Sequence, residues 1–375
     1  MLPPLPEPKT SLPSPFQRDG LLAWLTTVDH KMLGILYLVM ALGYFLMGGL
    51  EALAIRIQLA RPEQDLIGPE TFNQLFTMHG TTMVFLALMP ALIGFATYFL
   101  PLMIGANEMA FPRLNAMSFW TTLFGGLLLY FSPFAGGAPD AGWFAYAPLS
   151  EKNYSFSPGL DYYCMGLMVT GIGSIGAALN FFVTTVTMRA KGMSWMKMPL
   201  FAWMIFINSL LMLGAFPLLN AGLAMLFLDR QLGTLFFLPD QGGSALLWQH
   251  FFWAFGHPEV YIIFLPSIAL FAMLVPTFAN RHLLGYPWIV LAAVSARPAA
   301  MAFNRLVDRN MDARNPRTQG RELPAGRLSV GAVRALVLVA SASFVGAAWA
   351  LNPLAGQLSP LVLAVLLGYS YFKRF

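Results

Sequence analysis

Three groups of residues in this 375-residue chain have types and spacings that could do chemistry. His79 lies in F-T-M-H-G-T-T-M-V-F, and neutral imidazole is a good ligand for haem iron or copper. Gly80 beside it would let a macrocycle approach the backbone closely. His257 and Tyr261 occur in W-A-F-G-H-P-E-V-Y-I-I-F-L-P, four residues apart and therefore on one helix face, with Glu259 between them. Pro258 removes a backbone hydrogen bond there and predicts a kink. A carboxyl group among apolar side chains can take up a proton and hand it on, which suits Glu259. Asn304, Asp308 and Asp312 also repeat every four residues. Carboxylates on one helix face can bind magnesium and through it a diphosphate, while Arg317 and Arg321 could hold phosphate oxygens. Plainer readings stay open on the residues alone. A lone His in a membrane span can simply bond a neighbouring carbonyl, and a charged run can be a solvated helix end.

The elements that must carry these residues are membrane helices. The chain is 57% hydrophobic and 10% charged, against about 45–50% and about 25% for soluble domains. That excludes a soluble globular enzyme, a disordered chain and a nucleic-acid-binding surface. A span needs about 20 apolar residues. Qualifying stretches are Leu33–Ile55, Leu75–Leu102, Met117–Phe134, Tyr162–Val186, Met198–Leu228, Leu246–Val275, Leu283–Phe303, Ala332–Leu351 and Leu354–Tyr371. The predicted fold is therefore an all-α polytopic membrane bundle of about nine spans. Residues 1–23 are Pro-rich, lack the apolar run of a signal peptide, and are expected to be disordered. The single cysteine, Cys164, excludes an intrachain disulfide and any multi-Cys metal site. With the N-terminus inside, the inner segments through the sixth span hold eight Lys or Arg and the outer loops four. That bias predicts a cytoplasmic N-terminus.

From about Trp24 to Val294 the chain resembles subunit I of the haem–copper terminal oxidases, such as cytochrome c oxidase. The resemblance rests on D-H-K (29–31), M-H-G-T (78–81), P-L-M-I-G-A (101–106) and M-A-F-P-R-L-N (109–115). It continues in G-W-F-A-Y-A-P-L (142–149), D-R-Q-L-G-T (229–234) and G-H-P-E-V-Y (256–261). It implies dioxygen reduction to water coupled to proton translocation, in a bacterial inner (plasma) membrane. By the resemblance His79 is an axial ligand of the low-spin haem, with Arg56 near a haem substituent and Trp143, Tyr146 and Trp253 around the haem sites. His257 is a copper ligand and Tyr261 the tyrosine joined to it. Glu259 is the proton gate, Glu108 stands at the family's acidic mouth of the proton path in place of Asp, and Asn115 lines that path. The implied partners are membrane lipid, the other oxidase subunits and an electron donor, cytochrome c or quinol. The sequence departs from the family at Gly242–Ala245, which reads G-G-S-A for G-G-D-P, and at Ala254, usually aromatic.

The family needs six metal-ligating histidines, and this chain has five in all: His30, His79, His250, His257 and His282. Along a helix, His250 and His257 stand about 10.5 Å apart, too far to share one metal whose ligand bonds are about 2 Å each. His250 is therefore expected to be structural, and His30 and His282 solvated beside inner loops. The copper site is expected to be incomplete.

After Val294 the text changes. Residues 295–375 resemble the UbiA-superfamily prenyltransferases, nearest the 4-hydroxybenzoate polyprenyltransferase branch, through N-x-x-x-D-x-x-x-D, N-P-R-T and the late Y-S-Y-F-K-R-F. The resemblance implies magnesium-assisted binding of a prenyl diphosphate by Asn304, Asp308 and Asp312. The charge changes at the same place. Residues 1–296 hold 12 basic and 14 acidic side chains, whereas residues 297–375 hold 10 and 3. Three readings follow: a partial oxidase subunit I, a prenyltransferase fragment, or an inactive chimera of both.

Overall fold

The computed structural model describes residues 20–278, 280, 302–303, 306–307, 309, 329–351 and 353–372. The described secondary structure is entirely helical. The chain forms two compact units, Met1–Met273 and Leu274–Phe375.

In the first unit a short helix α1 (Leu21–Leu25) leads to α2 (His30–Gln58). The long α3 (Pro69–Ile104) follows, then α4 (Pro112–Phe131), α5 (Gly159–Thr187), α6 (Leu200–Leu232) and α7 (Ala245–Phe278), of which the part up to Met273 belongs to this unit. Local sequence accounts for the ends. The Asp29 carboxylate caps α2, accepting from the backbone N–H of Lys31 at 2.9 Å and Met32 at 3.0 Å. Pro69 and Pro112 open α3 and α4, where a missing N–H costs nothing. Gly105 (φ +74°) ends α3 and Gly233 (φ +68°) ends α6, a conformation that disfavours any Cβ.

Small residues bring the helices together. A Cβ placed on Gly125 of α4 would lie 2.6 Å from the carbonyl oxygen of Gly166 on α5, and one on Gly34 of α2 would lie 2.8 Å from the Tyr98 Cβ on α3. Only glycine permits these approaches, the usual basis of helix association in lipid. The opposite faces carry exposed Leu42, Phe45, Leu46 and Leu50, as a helix facing lipid tails should.

In the second unit α8 (Val330–Leu351) and α9 (Pro353–Phe372) pack against each other, with Gly356 against the Trp349 ring. Val333 and Val337 cluster with Ala302, and Phe303, Leu306 and Val330 pack around them.

Among the described residues, seven helices are long and apolar enough to cross a membrane: α2 to α7 and α8. In α9 the apolar stretch is shorter, Pro353–Val365. The expected span Leu283–Phe303 lies outside the described residues except for its last two. The helices overrun the apolar stretches, because polar turns such as Pro69–Asn73 continue the helix beyond the apolar run. Helix α7 continues through Pro258.

Exchanging Gly125 for Val should lower stability by about 2 kcal/mol through overpacking. Gly43→Ala, where an added Cβ meets nothing within 4 Å, should leave it unchanged or slightly raised. Thermal unfolding of the detergent-solubilised protein checks both.

Candidate functional site

His79 is half-buried on α3, three residues before the helix widens into a π-type segment, Thr82–Leu88. Such segments change the register of the faces beyond them and often mark functional sites. Its Nδ1 lies 2.9 Å from the carbonyl oxygen of Gly48 on α2. A carbonyl only accepts, so Nδ1 carries the proton and Nε2 keeps its lone pair. The plain reading of a span histidine, a bond to a neighbouring carbonyl, is thus true of one nitrogen. The same bond leaves the other nitrogen fit for a metal, as ligating histidines usually are.

The loop between α4 and α5 folds down onto this place. The Gly142 N–H donates to Thr77 Oγ1 at 2.8 Å, and Trp143 covers Gly80, where a Cβ would meet the Trp143 Cβ at 3.2 Å. The Trp143 ring lies 5.3 Å from Phe252 and 6.1 Å from Trp253 of α7. Trp253 donates its indole N–H to the Tyr146 hydroxyl. Trp143 and Tyr146 of the loop therefore form one aromatic group with Trp253, which lies 107 residues beyond Tyr146 in sequence. Arg56 is exposed at the last turn of α2.

A second feature runs through the bundle interior. Glu259 is 2% exposed and neither carboxyl oxygen has a hydrogen-bond partner among the described residues. Asn115, wholly buried on α4, lacks partners for both its side-chain atoms, and Thr97 Oγ1 and Asn208 Oδ1 are likewise unpartnered. A cavity of about 10 Å³ beside Asn208 reaches Ile262, one turn beyond Glu259 on the same face of α7. That is room for about one water. Unpaired buried polar groups cost about 1–3 kcal/mol each.

Glu108 follows the loop after α3. Its Oε1 accepts from the His30 N–H, the Met109 N–H and the His30 Nδ1, each at 3.1 Å. His30 is 1% exposed, which corrects the expectation of a solvated side chain. Its DHK position reads as a loop, but the Asp29 cap turns it into the first residue of α2 and seats it against Glu108. Asp29, His30 and Glu108 are the one group of three possible metal ligands within 4.8 Å among the described residues.

His257 and Tyr261 do share a face of α7, with ring centroids 4.9 Å apart, and His257 is exposed. His250 is also exposed. His282 and the motif residues Asn304, Asp308 and Asp312 lie outside the described residues.

Sequence reasoning missed an ionic group where α5 begins and α6 ends. Arg230 donates to both oxygens of Asp161, at 2.7 and 3.4 Å, and to the carbonyls of Ser150, Ser155 and Ser157 at 2.8 to 3.0 Å. Asp229 accepts from the N–H groups of Phe236 and Phe237 and from Thr234 Oγ1. The D-R pair was visible as a motif, but nothing in it tells which loop it would grip.

Residues 32–301 match the family described as "Cytochrome C and Quinol oxidase polypeptide I". The chain belongs to that family. Cytochrome c oxidase subunit 1 of Bacillus subtilis (strain 168) is 50% identical over 277 residues, 73% of this chain and 44% of the relative. The subunit 1 of Bacillus sp. (strain PS3) is also 50% identical over 277 residues, 73% of this chain and 45% of the relative. Quinol oxidase subunit 1 of Bacillus subtilis (strain 168) is 44% identical over 267 residues, 71% of this chain and 41% of the relative. The chain thus spans less than half the length of these relatives. Residues 263–375 match the UbiA prenyltransferase family, so the two matched ranges overlap. With its apolar spans and this family, the chain is an integral membrane protein.

Removing the acceptor at Glu108 leaves the His30 and Met109 N–H groups unpaired. Glu108→Ala should cost about 1–3 kcal/mol, whereas Glu108→Gln keeps an amide oxygen in place and should unfold near the wild-type temperature. Thermal melts of the two variants separate these outcomes.

Proposed function

We propose that the chain is a partial subunit I of a terminal respiratory oxidase that holds a low-spin haem through His79 Nε2. The observation that carries this is the 2.9 Å bond from His79 Nδ1 to Gly48, which fixes the tautomer and the ring. Gly80 allows close approach, the Trp143, Tyr146 and Trp253 group walls the chamber, and Arg56 sits at the end of α2 to meet a polar haem substituent. When bound, haem supplies one-electron redox chemistry. The protein's own part is to orient His79 and keep the surrounding aromatic wall dry.

The proton path in this reading runs from Glu108 at the α3–α4 turn, past Asn115, to Glu259. The unpartnered oxygens of Glu259 and side-chain atoms of Asn115 would hold water, and Glu259 would pass a proton on from that chain. Copper does not fit in the same way. His257 is its one histidine ligand here, with Tyr261 beside it, and the three-ligand group of the described residues lies elsewhere. No step is assigned through that metal. The family reaction, dioxygen reduction with proton translocation, would need the remaining ligands from outside this chain. It would also need the other oxidase subunits and a donor, cytochrome c or quinol. The N-terminus faces the cytoplasm of a bacterial plasma membrane in this reading. The oxidase-like part ends near residue 294, and residues 295–375 form a prenyltransferase-like fragment.

A reduced-minus-oxidised optical spectrum of the purified chain should contain a low-spin haem band, lost in His79→Ala. A protein that folds and carries no haem, or a band unchanged by that substitution, would refute the assignment. The UbiA match over 263–375 supports a second reading, magnesium-dependent binding of a prenyl diphosphate at Asn304, Asp308 and Asp312. Transfer of a labelled prenyl group, abolished by Asp308→Ala, would be its positive sign. Absence of transfer in a folded protein leaves an inactive chimeric tail.

A further inference from the structure

The first residues of α4 are pinned to the side of α5 rather than to its end. Asn180 and Thr184 of α5, both wholly buried, reach across to the segment that leads into α4. Asn180 Oδ1 accepts from the Phe111 N–H at 2.9 Å, and its Nδ2 donates to the Phe111 carbonyl at 3.1 Å. Thr184 Oγ1 accepts from the Ala110 N–H at 2.9 Å. Helix α5 runs on to Thr187, about two turns past Asn180. Beside this step lies a cavity of about 640 Å³, lined by Val28, residues 110–114 and Leu179. Its size falls within the roughly 300–1,000 Å³ of sites that hold a small organic molecule. Val28, Phe111 and Leu179 present exposed apolar side chains there.

Of the residues that line the cavity, Arg113 alone is charged and the rest are apolar. Arg113 is exposed, and the two ion pairs among the described residues, His30–Glu108 and Arg230–Asp161, leave it out. The acids next to the lining in sequence are already engaged. Asp29 caps α2, and Glu108 accepts from His30 and from the Met109 N–H. Arg189, just past the end of α5, is engaged too: it lies 3.8 Å over the Trp195 ring and donates to the Thr185 carbonyl. Arg113 is thus a cation at the edge of an apolar hollow, with no acid among the lining residues to meet it.

The apolar span that contains α4 starts at Pro112, so the hollow sits where hydrocarbon gives way to lipid headgroups. A cation beside an apolar wall at that depth matches the two parts of a phospholipid. A guanidinium holds two phosphate oxygens through parallel hydrogen bonds. Lipid tails are as apolar as the side chains they meet, so a tail in the hollow adds shape and little preference. The choice between lipids therefore falls to the headgroup. A choline or ethanolamine headgroup brings an ammonium for which the lining offers no carboxylate, whereas an anionic headgroup brings none.

We propose that this cavity binds one anionic phospholipid, with its phosphate on Arg113 and an acyl chain against Val28, Phe111 and Leu179. The site needs only a chain embedded in a membrane. It depends neither on haem nor on which side the N-terminus lies.

Native mass spectrometry of the full chain tests this, after incubation in detergent with equal amounts of phosphatidylglycerol and phosphatidylcholine of the same acyl chains. The wild type should retain one phosphatidylglycerol over phosphatidylcholine by about five-fold, the ratio that one basic side chain supplies at an anionic membrane surface. Arg113→Gln should bring that ratio to within about two-fold. Leu179→Trp, which sets a ring in the hollow and keeps the charge, should lower the ratio to a similar degree. Lys152→Gln removes an exposed cation from the loop at the other end of α4 and should leave the ratio as in the wild type. The proposal is overturned if the wild type holds the two lipids alike, or if Arg113→Gln or Leu179→Trp keeps the preference. It is equally overturned if Lys152→Gln abolishes the preference, because net charge and not a built site would then be acting. Should Arg113→Gln fail to fold, the wild-type ratio and Leu179→Trp still decide the matter.

Discussion

One buried guanidinium organises the end of the bundle where α5 begins and α6 ends. Arg230 is 2% exposed, and its five hydrogen bonds tie the first turn of α5, the last turn of α6 and the loop between α4 and α5 into one body. A buried charge is tolerable only when fully paired, so the loop carbonyls cannot leave Arg230 without exposing a large cost. That requirement sets the path of the loop. The path in turn lays Trp143 on Gly80 and brings Tyr146 to Trp253. The aromatic group of Trp143, Tyr146 and Trp253 thus draws on a loop anchored at its far end by an ionic contact.

The interior below obeys a different constraint. In lipid, helices satisfy their own backbone groups, and glycine-lined approaches such as Gly125 against Gly166 pull them together. Polar side chains that remain unpaired in so apolar a core are costly. Glu259 and Asn115 are both nearly or wholly buried and both unpartnered. Their presence is intelligible where water enters the protein to meet them. The underlying division of labour is between α3, which presents His79, and α7, which presents Glu259 and Trp253.

Much of this was legible in the residues. The spans α2 to α7 followed from apolar length alone, because a bilayer imposes one requirement on every crossing segment. The shared face of His257 and Tyr261 followed from helix periodicity, and their rings do meet, 4.9 Å apart. His30 was misread as solvated. Its burial depends on Glu108, 78 positions away in sequence, and no local pattern encodes such a pairing. Arg230 and Asp229 were visible as a motif without a role, since their partners come from a loop whose fold is not periodic.

The class of protein, the positions of the membrane helices and the chemical types of the candidate side chains were thus readable from the residues alone. These depend on composition and on spacing within single helices, which act locally. Tertiary structure alone decided which nitrogen of His79 is left free, which histidine is buried, and which loop Arg230 grips. Each of those outcomes is set by a hydrogen bond or a desolvation cost between segments that only the folded chain brings within reach.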